Sequence, residues 1–171
     1  AAGDGVFAPI RNFRCGDITD GLSNTLAVAE RKAFQPNLWD TEKPNQTGVA
    51  PPATPTELAA FFGGTFDAFG HTEWVEGDVH ETGFTTTFTP NAFVSYVDSG
   101  VTYDIDLTSL RDGESATLPT YGAITARSFH PGYVNVALLD GSVQAVSDSI
   151  DLLIWRAAGT RAGGEANDDL D

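Results

Sequence analysis

The sequence predicts an α+β fold dominated by β structure. Three observations carry that expectation. Short runs rich in β-branched and aromatic residues are bounded by Gly, Pro, Asn or Asp; helical periodicity is scarce; and an Asp-Gly pair stands between two apolar runs near the C-terminal end. With 171 residues the chain can build one real core and would be cramped as two domains, so residues 1–171 are read as one unit.

Taken in order, Thr19 or Asp20 is placed to cap a brief helix running through Asn24, and Thr25–Glu30 reads as a strand. From Ala33 to Pro55 the chain carries Pro36, Pro44, Pro51, Pro52 and Pro55, which predicts a long surface loop; the wider stretch 31–69 is read as a loop or insertion. Within it Thr56 is placed to cap a turn of helix over 57–62, and Asn45-Gln46-Thr47 matches a glycosylation acceptor of low specificity. Phe84–Thr89, Phe93–Val97 and Val134–Leu139 read as further strands. Asp140-Gly141 predicts a tight two-residue hairpin turn with positive φ angles, returning the chain through Val146. Ser149 is placed to cap a helix over 150–158, with Leu153, Ile154, Ala157 and Ala158 on one face and Gly159 at its end. This helix is expected to pack across or beside an antiparallel sheet. The acidic tail 165–171 is expected to be mobile.

Nine basic against 24 acidic side chains leave a formal charge of −15, which repels phosphate backbones and anionic lipid. Nucleic acid is thereby excluded as a partner. Cys15 is the single cysteine, so no intrachain disulfide forms, and a small apolar filler is the expected role. No apolar run approaches the ~20 residues of a membrane span. The absence of Met and the opening at Ala1 in a Gly-containing stretch are expected of a mature or trimmed product.

Several clusters have chemistry worth testing. On an extended strand His71 and Glu73 share a face, and His80 with Glu81 would return beside them, a conceivable divalent-metal set of His71, Glu73 and His80. It lacks the two-histidine helical spacing of hydrolytic metal sites, and a hydrogen-bonded polar cluster is the simpler reading. Asp104 and Asp106 share a strand face, flanked by Asp98 and Asp112, and oxygen-rich loops of this kind hold calcium when carbonyls complete the shell. Calcium is the one cofactor these residues suggest; a solvated acidic face is the alternative. His130 has no second His or Cys at ligand spacing and reads as packed or hydrogen-bonded. Asp17, Asp20, Ser23, Asn24 and Thr25 suit the capping of free backbone groups. No Ser elbow and no phosphate-binding Gly loop is present.

Three blocks occur together: 17–30 with Asp20-Gly21-Leu22-Ser23-Asn24-Thr25, then 70–77 with 82–91, and 126–143 followed by 155–165. In their order they resemble a prepilin-like family of unknown function, domain-of-unknown-function family 1559, of planctomycete-type bacteria. Its C-terminal signature is a His, nine residues, then Asp-Gly, here His130 and Asp140-Gly141. The match covers most of the chain outside 31–69. The resemblance implies a pilin-like head, a location outside the cell or on its surface, and self-association into a filament or surface assembly. It also implies a cleavage segment and hydrophobic helix upstream, which this sequence does not contain; membrane contact is expected only through that helix.

The expectation is therefore a non-enzymatic structural subunit of a type IV pilus-like or pseudopilus-like assembly, serving adhesion or contact with extracellular polysaccharide. A secreted calcium-dependent glycan binder using Trp39 or Trp74 as a sugar platform is a second reading. A metal-dependent hydrolase centred on His71, Glu73 and His80 is a third.

Overall fold

The computed structural model describes residues 3–8, 11–111, 114–165 and 170. In chain order the strands are β1 (Leu26–Ala29), β2 (Gln35–Trp39), β3 (Thr65–Gly70), β4 (Ser95–Asp98), β5 (Val101–Asp104), β6 (Asp106–Thr108), β7 (Gly122–Ala123), β8 (Tyr133–Leu138) and β9 (Val143–Ser147). Two short helices, α1 (Val79–Thr82) and α2 (Leu152–Ala158), accompany them. The result is the β-dominated α+β architecture that the pattern of short strands predicts.

β1, β8 and β9 form an antiparallel sheet in the order β1-β8-β9. Alternation along β8 sends Val134, Val136 and Leu138 inward, where they pack with Leu26, Val146 and the fully buried Trp155 of α2. Asp151 starts α2 by accepting from the backbone N–H groups of Leu153 (2.7 Å) and Ile154 (3.4 Å). Ser149, the expected cap, bonds Ser147 instead, so the helix begins two residues later than its hydrophobic pattern suggests.

The β8–β9 hairpin forms, with a different turn. Leu138 C=O accepts from Gly141 N–H at 3.0 Å and Leu138 N–H donates to the Ser142 carbonyl at 2.9 Å. Of the Asp-Gly pair only Gly141 has positive φ, at 89°. The loop is thus a turn closed by a left-handed glycine, not the two-residue form with positive φ at both positions.

The second sheet has the order β3-β2-β6-β7, with β2 and β6 parallel and the other pairs antiparallel. β4 and β5 make a separate hairpin. Leu38, Leu58, Phe88, Val94, Ile105 and Leu107 form the core here. The reading of 31–69 as loop or insertion is corrected: it supplies β2, an inner strand, together with β3. Pro36 misleads because it cannot donate to a ladder, yet it sits where the β2–β3 register shifts between Gln35 and Asn37. Gly64 enters β3 with φ 66°, and a Cβ there would collide with the Trp39 and Asp40 carbonyls, so no side chain fits.

Further departures are local. Phe84–Thr89 is not a strand; Thr85 makes one bridge to Thr125, and the Thr85 and Thr87 hydroxyls take over bonding to Ile124 and Gly122. Residues 19–24 form turns rather than a helix. Cys15 is exposed, not a packed filler. Leu170 is buried in the first core, against the expected mobility of the tail; residues 166–169 and 171 lie outside the described residues.

Candidate functional site

The densest group of ionisable side chains lies where the two sheets meet. Arg31 follows β1, Asp104 ends β5, Asp106 opens β6, Arg127 precedes β8 and His71 follows β3. Arg127 N–H donates to Glu30 C=O at 2.9 Å, which ties this junction to the end of β1. Asp106 and Arg127 are each about 1% exposed. Buried charge is tolerated when paired and hydrogen-bonded, and for Asp106 and Arg127 the geometry meets that demand, while the buried Nε of neighbouring Arg31 has no hydrogen-bond partner. Arg127 donates to Asp104 Oδ2 through Nε at 3.0 Å and to Asp104 Oδ1 through Nη2 at 2.9 Å, a two-pronged pair. Its Nη1 binds Asp106 Oδ1, while the Ala92, Ile105 and Thr125 carbonyls, each at 3.3 Å, share its two remaining hydrogens.

Arg31 approaches Asp106 from the other side. It donates to Asp106 Oδ2, to the Thr125 carbonyl and to His71 Nε2. The Thr125 N–H adds a bond to Asp106 Oδ1 at 3.1 Å. His71 Nδ1 faces the Glu81 carbonyl at 2.7 Å, which makes Nδ1 the donor and Nε2 the acceptor.

The charges balance locally, two arginines against two carboxylates. Burial opposes the charge of Asp106, yet Arg31 and Arg127 outweigh it and hold the carboxyl far below the ordinary range. Burial presses Arg31 downward and repulsion from Arg127 adds to it, against the attraction of Asp106. For Arg127 burial is again the largest effect, but Asp106 and Asp104 together override it and raise the guanidinium above its ordinary value.

This network occupies the residues in which metal chemistry was expected. Asp104 and Asp106 do come together, around the Arg127 guanidinium, from which both carboxylates accept hydrogen bonds. Asp98 pairs with Val101 at the turn end of the β4–β5 hairpin, opposite the end where Ser95 pairs with Asp104, and Asp112 lies outside the described residues. His71, Glu73 and His80 do not converge: His71 turns inward to Arg31, His80 Nε2 lies 3.7 Å from Glu81 Oε1, and Glu73 is exposed. The extended strand supposed to align them ends at Gly70, because His71 adopts φ 58°. Among the described residues no three His, Cys, Asp or Glu side chains gather in a way that could hold a metal ion.

The remaining motif residues act on the backbone. His130 stacks on Tyr133, with ring centroids 4.8 Å apart, and its Nε2 lies 3.3 Å from Glu30 Oε1. Glu30 in turn is lowered, first by the Asn135 N–H bonded to it at 2.8 Å. At the other end of β8, Asp140 N–H donates to the Leu22 carbonyl at 3.0 Å, so the 20–25 turn sits against the hairpin. Gly21 has φ 99°, and Asn24 closes this turn onto the Asp20 carbonyl at 2.9 Å. The Asp20 carboxylate accepts from Thr160 Oγ1, Gly163 N–H and Gly164 N–H, joining the turn to the chain beyond α2.

The two tryptophans proposed as sugar platforms differ. Trp39 is covered on its faces, by Arg111 at 4.2 Å and His80 with centroids 6.2 Å apart. Trp74 stands free on a loop and is 84% exposed. A shallow apolar cleft of about 90 Å³ lies beside β7, lined by residues including Val49, Pro51, Leu58, Tyr121 and Ala123. It shares Ala50, Pro51, Pro52 and Phe61 with a more open depression of about 530 Å³.

Sequence reasoning missed Arg31 and Arg127, the cations that organise the site. One signal was available: Arg127 directly follows the largely apolar Ala123-Ile124-Thr125-Ala126 in a chain with few basic residues. The fold and junction together define a β-dominated protein whose titratable cluster is an internal cross-link. Residues 1–153 match the family model described as a protein of unknown function (DUF1559), and the chain belongs to that family. No curated protein matches the chain, and no solved structure does.

Proposed function

We propose that this chain is the head of an extracellular pilus-like or pseudopilus-like assembly, a structural subunit making surface contacts rather than an enzyme. The observation that supports this reading is the outer face of the first sheet. With Val134, Val136, Leu138 and Val146 turned to the core, the opposite face carries Val28, Ala137 and Val143 in direct register across three strands. Val28 is 57% and Val143 70% exposed, and Ala145 extends the row. Contiguous apolar groups on an open sheet face suit burial against a neighbouring subunit.

The test uses the natural gene product in its own host. Val143→Glu and Val28→Glu place charge on this face without touching the core, so each is expected to abolish surface assembly while leaving the urea midpoint of the purified chain unchanged. Assembly that survives both substitutions overturns the reading, as does a wild-type product that forms no assembly.

A further inference from the structure

The loop between β3 and α1 displays two large apolar side chains that folding does not require. Glu76 N–H donates to Glu73 C=O at 2.9 Å, so Trp74 and Val75 are the two corner residues of a tight turn. Corners of such turns ordinarily hold Gly, Pro, Asn, Asp or Ser. Here Trp74 is 84% and Val75 77% exposed, and neither contributes to a core.

The turn is nonetheless held firmly. Glu81 Oε2 accepts from the N–H groups of Thr72 and Glu73, both at 2.8 Å. The Thr82 hydroxyl donates to the Glu76 carbonyl at 3.2 Å, and Thr72 Oγ1 donates to the Phe69 carbonyl at 2.7 Å. His71 fastens the root by donating to Glu81 C=O while Arg31 grips its other nitrogen. A display fixed this way loses little conformational freedom on docking.

Its surroundings are anionic. Glu73, Glu76 and Asp78 flank the corner, and residues 44–110 contain neither Lys nor Arg. Among the described residues no lysine or arginine makes an ion pair with any of the three. Glu76 is raised from its ordinary value, by burial first and then by repulsion from Asp78 and Glu73, the condition that a cation relieves.

We propose that the Trp74–Val75 turn is a contact surface for a basic polypeptide, whose apolar side chain packs against the indole while its lysines or arginines face Glu73, Glu76 and Asp78. An exposed tryptophan on a rigid support is the residue type that most often dominates a protein interface, and its ring also attracts guanidinium and ammonium groups. The acidic rim sets the sign of the partner: anionic lipid is repelled, and a second copy of this chain, with nine basic against 24 acidic side chains, offers this particular turn little positive charge to face it. The inference is independent of the assembly reading, since the turn lies outside the β1-β8-β9 sheet.

The test is selection from a random-peptide display library on the wild-type chain, with Trp74→Ser as the counter-target. Selected peptides are expected to be net positive with at least one aromatic or large aliphatic residue. Their affinity, measured at 0.15 M salt, is expected to fall roughly tenfold or more on Trp74→Ser and several-fold on Glu73→Gln/Glu76→Gln, and to weaken as salt rises. Both variants are checked by circular dichroism and urea unfolding, where no change is expected. Neutral or acidic peptides, binders indifferent to Trp74→Ser, or a library yielding no Trp74-dependent binder each overturn the proposal. So does Trp74-dependent binding to phosphatidylcholine vesicles or a Trp74-dependent dimer in sedimentation, either of which assigns the turn elsewhere.

Discussion

Replacing Asp106 with Asn tests the buried junction directly. The substitution keeps the shape and an acceptor for the Thr125 N–H, but it removes the charge shared by Arg31 and Arg127. Two guanidiniums then remain buried with only Asp104 between them. Breaking a buried pair by removing one partner costs about 3–5 kcal/mol, because the other charge is left uncompensated. For a chain of this length each kcal/mol corresponds to ~2–4 °C, so the melting temperature is expected to fall by roughly 6–20 °C. The pH dependence gives a second readout. The folded-state pKa of Asp106 is depressed, so its stabilisation is complete above the unfolded carboxyl value of about 3.9 and is lost as pH falls through the folded value. The gap in unfolding free energy between wild type and Asp106→Asn should therefore stay constant from about pH 5 to 8 and narrow below about pH 4. Urea unfolding across that range measures it. A loss under about 1 kcal/mol at neutral pH, the range of exposed pairs, would refute the argument, and so would a gap that does not narrow in acid.

Three further outcomes follow from local geometry. Gly64→Ala forces a Cβ against the Trp39 carbonyl and within 2.6 Å of the Asp40 carbonyl at a positive φ; it should cost at least about 1–3 kcal/mol by urea unfolding. Asp151→Ala removes the N-cap of α2 and should cost about 1 kcal/mol, visible as a shift in the urea midpoint without a change in slope. Cys15 should react with a thiol reagent in the folded chain as fast as in urea, since the side chain is exposed.

Local signals were legible wherever the physics is local. The β8–β9 hairpin follows from alternation and from a glycine where φ must be positive; α2 follows from helical spacing of apolar residues, although Leu153, counted among them, is 73% exposed and Trp155 is the large side chain the helix buries. The 31–69 stretch was not legible, because Pro36 breaks the strand pattern and its compensation is a bulge in a partner that lies thirty residues away. The candidate site was half legible. Asp104, Asp106 and His71 stood out as chemistry-bearing residues, but nothing local marks Arg31 and Arg127 as their partners, since both arrive from distant segments.

By itself the sequence determined the fold class, the acidic exterior, the hairpin and the family, since each rests on composition, short-range periodicity or ordered motifs. Only the tertiary structure decided what the polar residues do. A carboxylate at the start of a strand reads the same whether it faces water, calcium or arginine; burial beside two guanidiniums from distant segments turns Asp106 into a cross-link. Exposure works in the same way: a lone Trp signals core or surface only after the rest of the chain has packed, and packing buried Trp155 while leaving Trp74 in solvent.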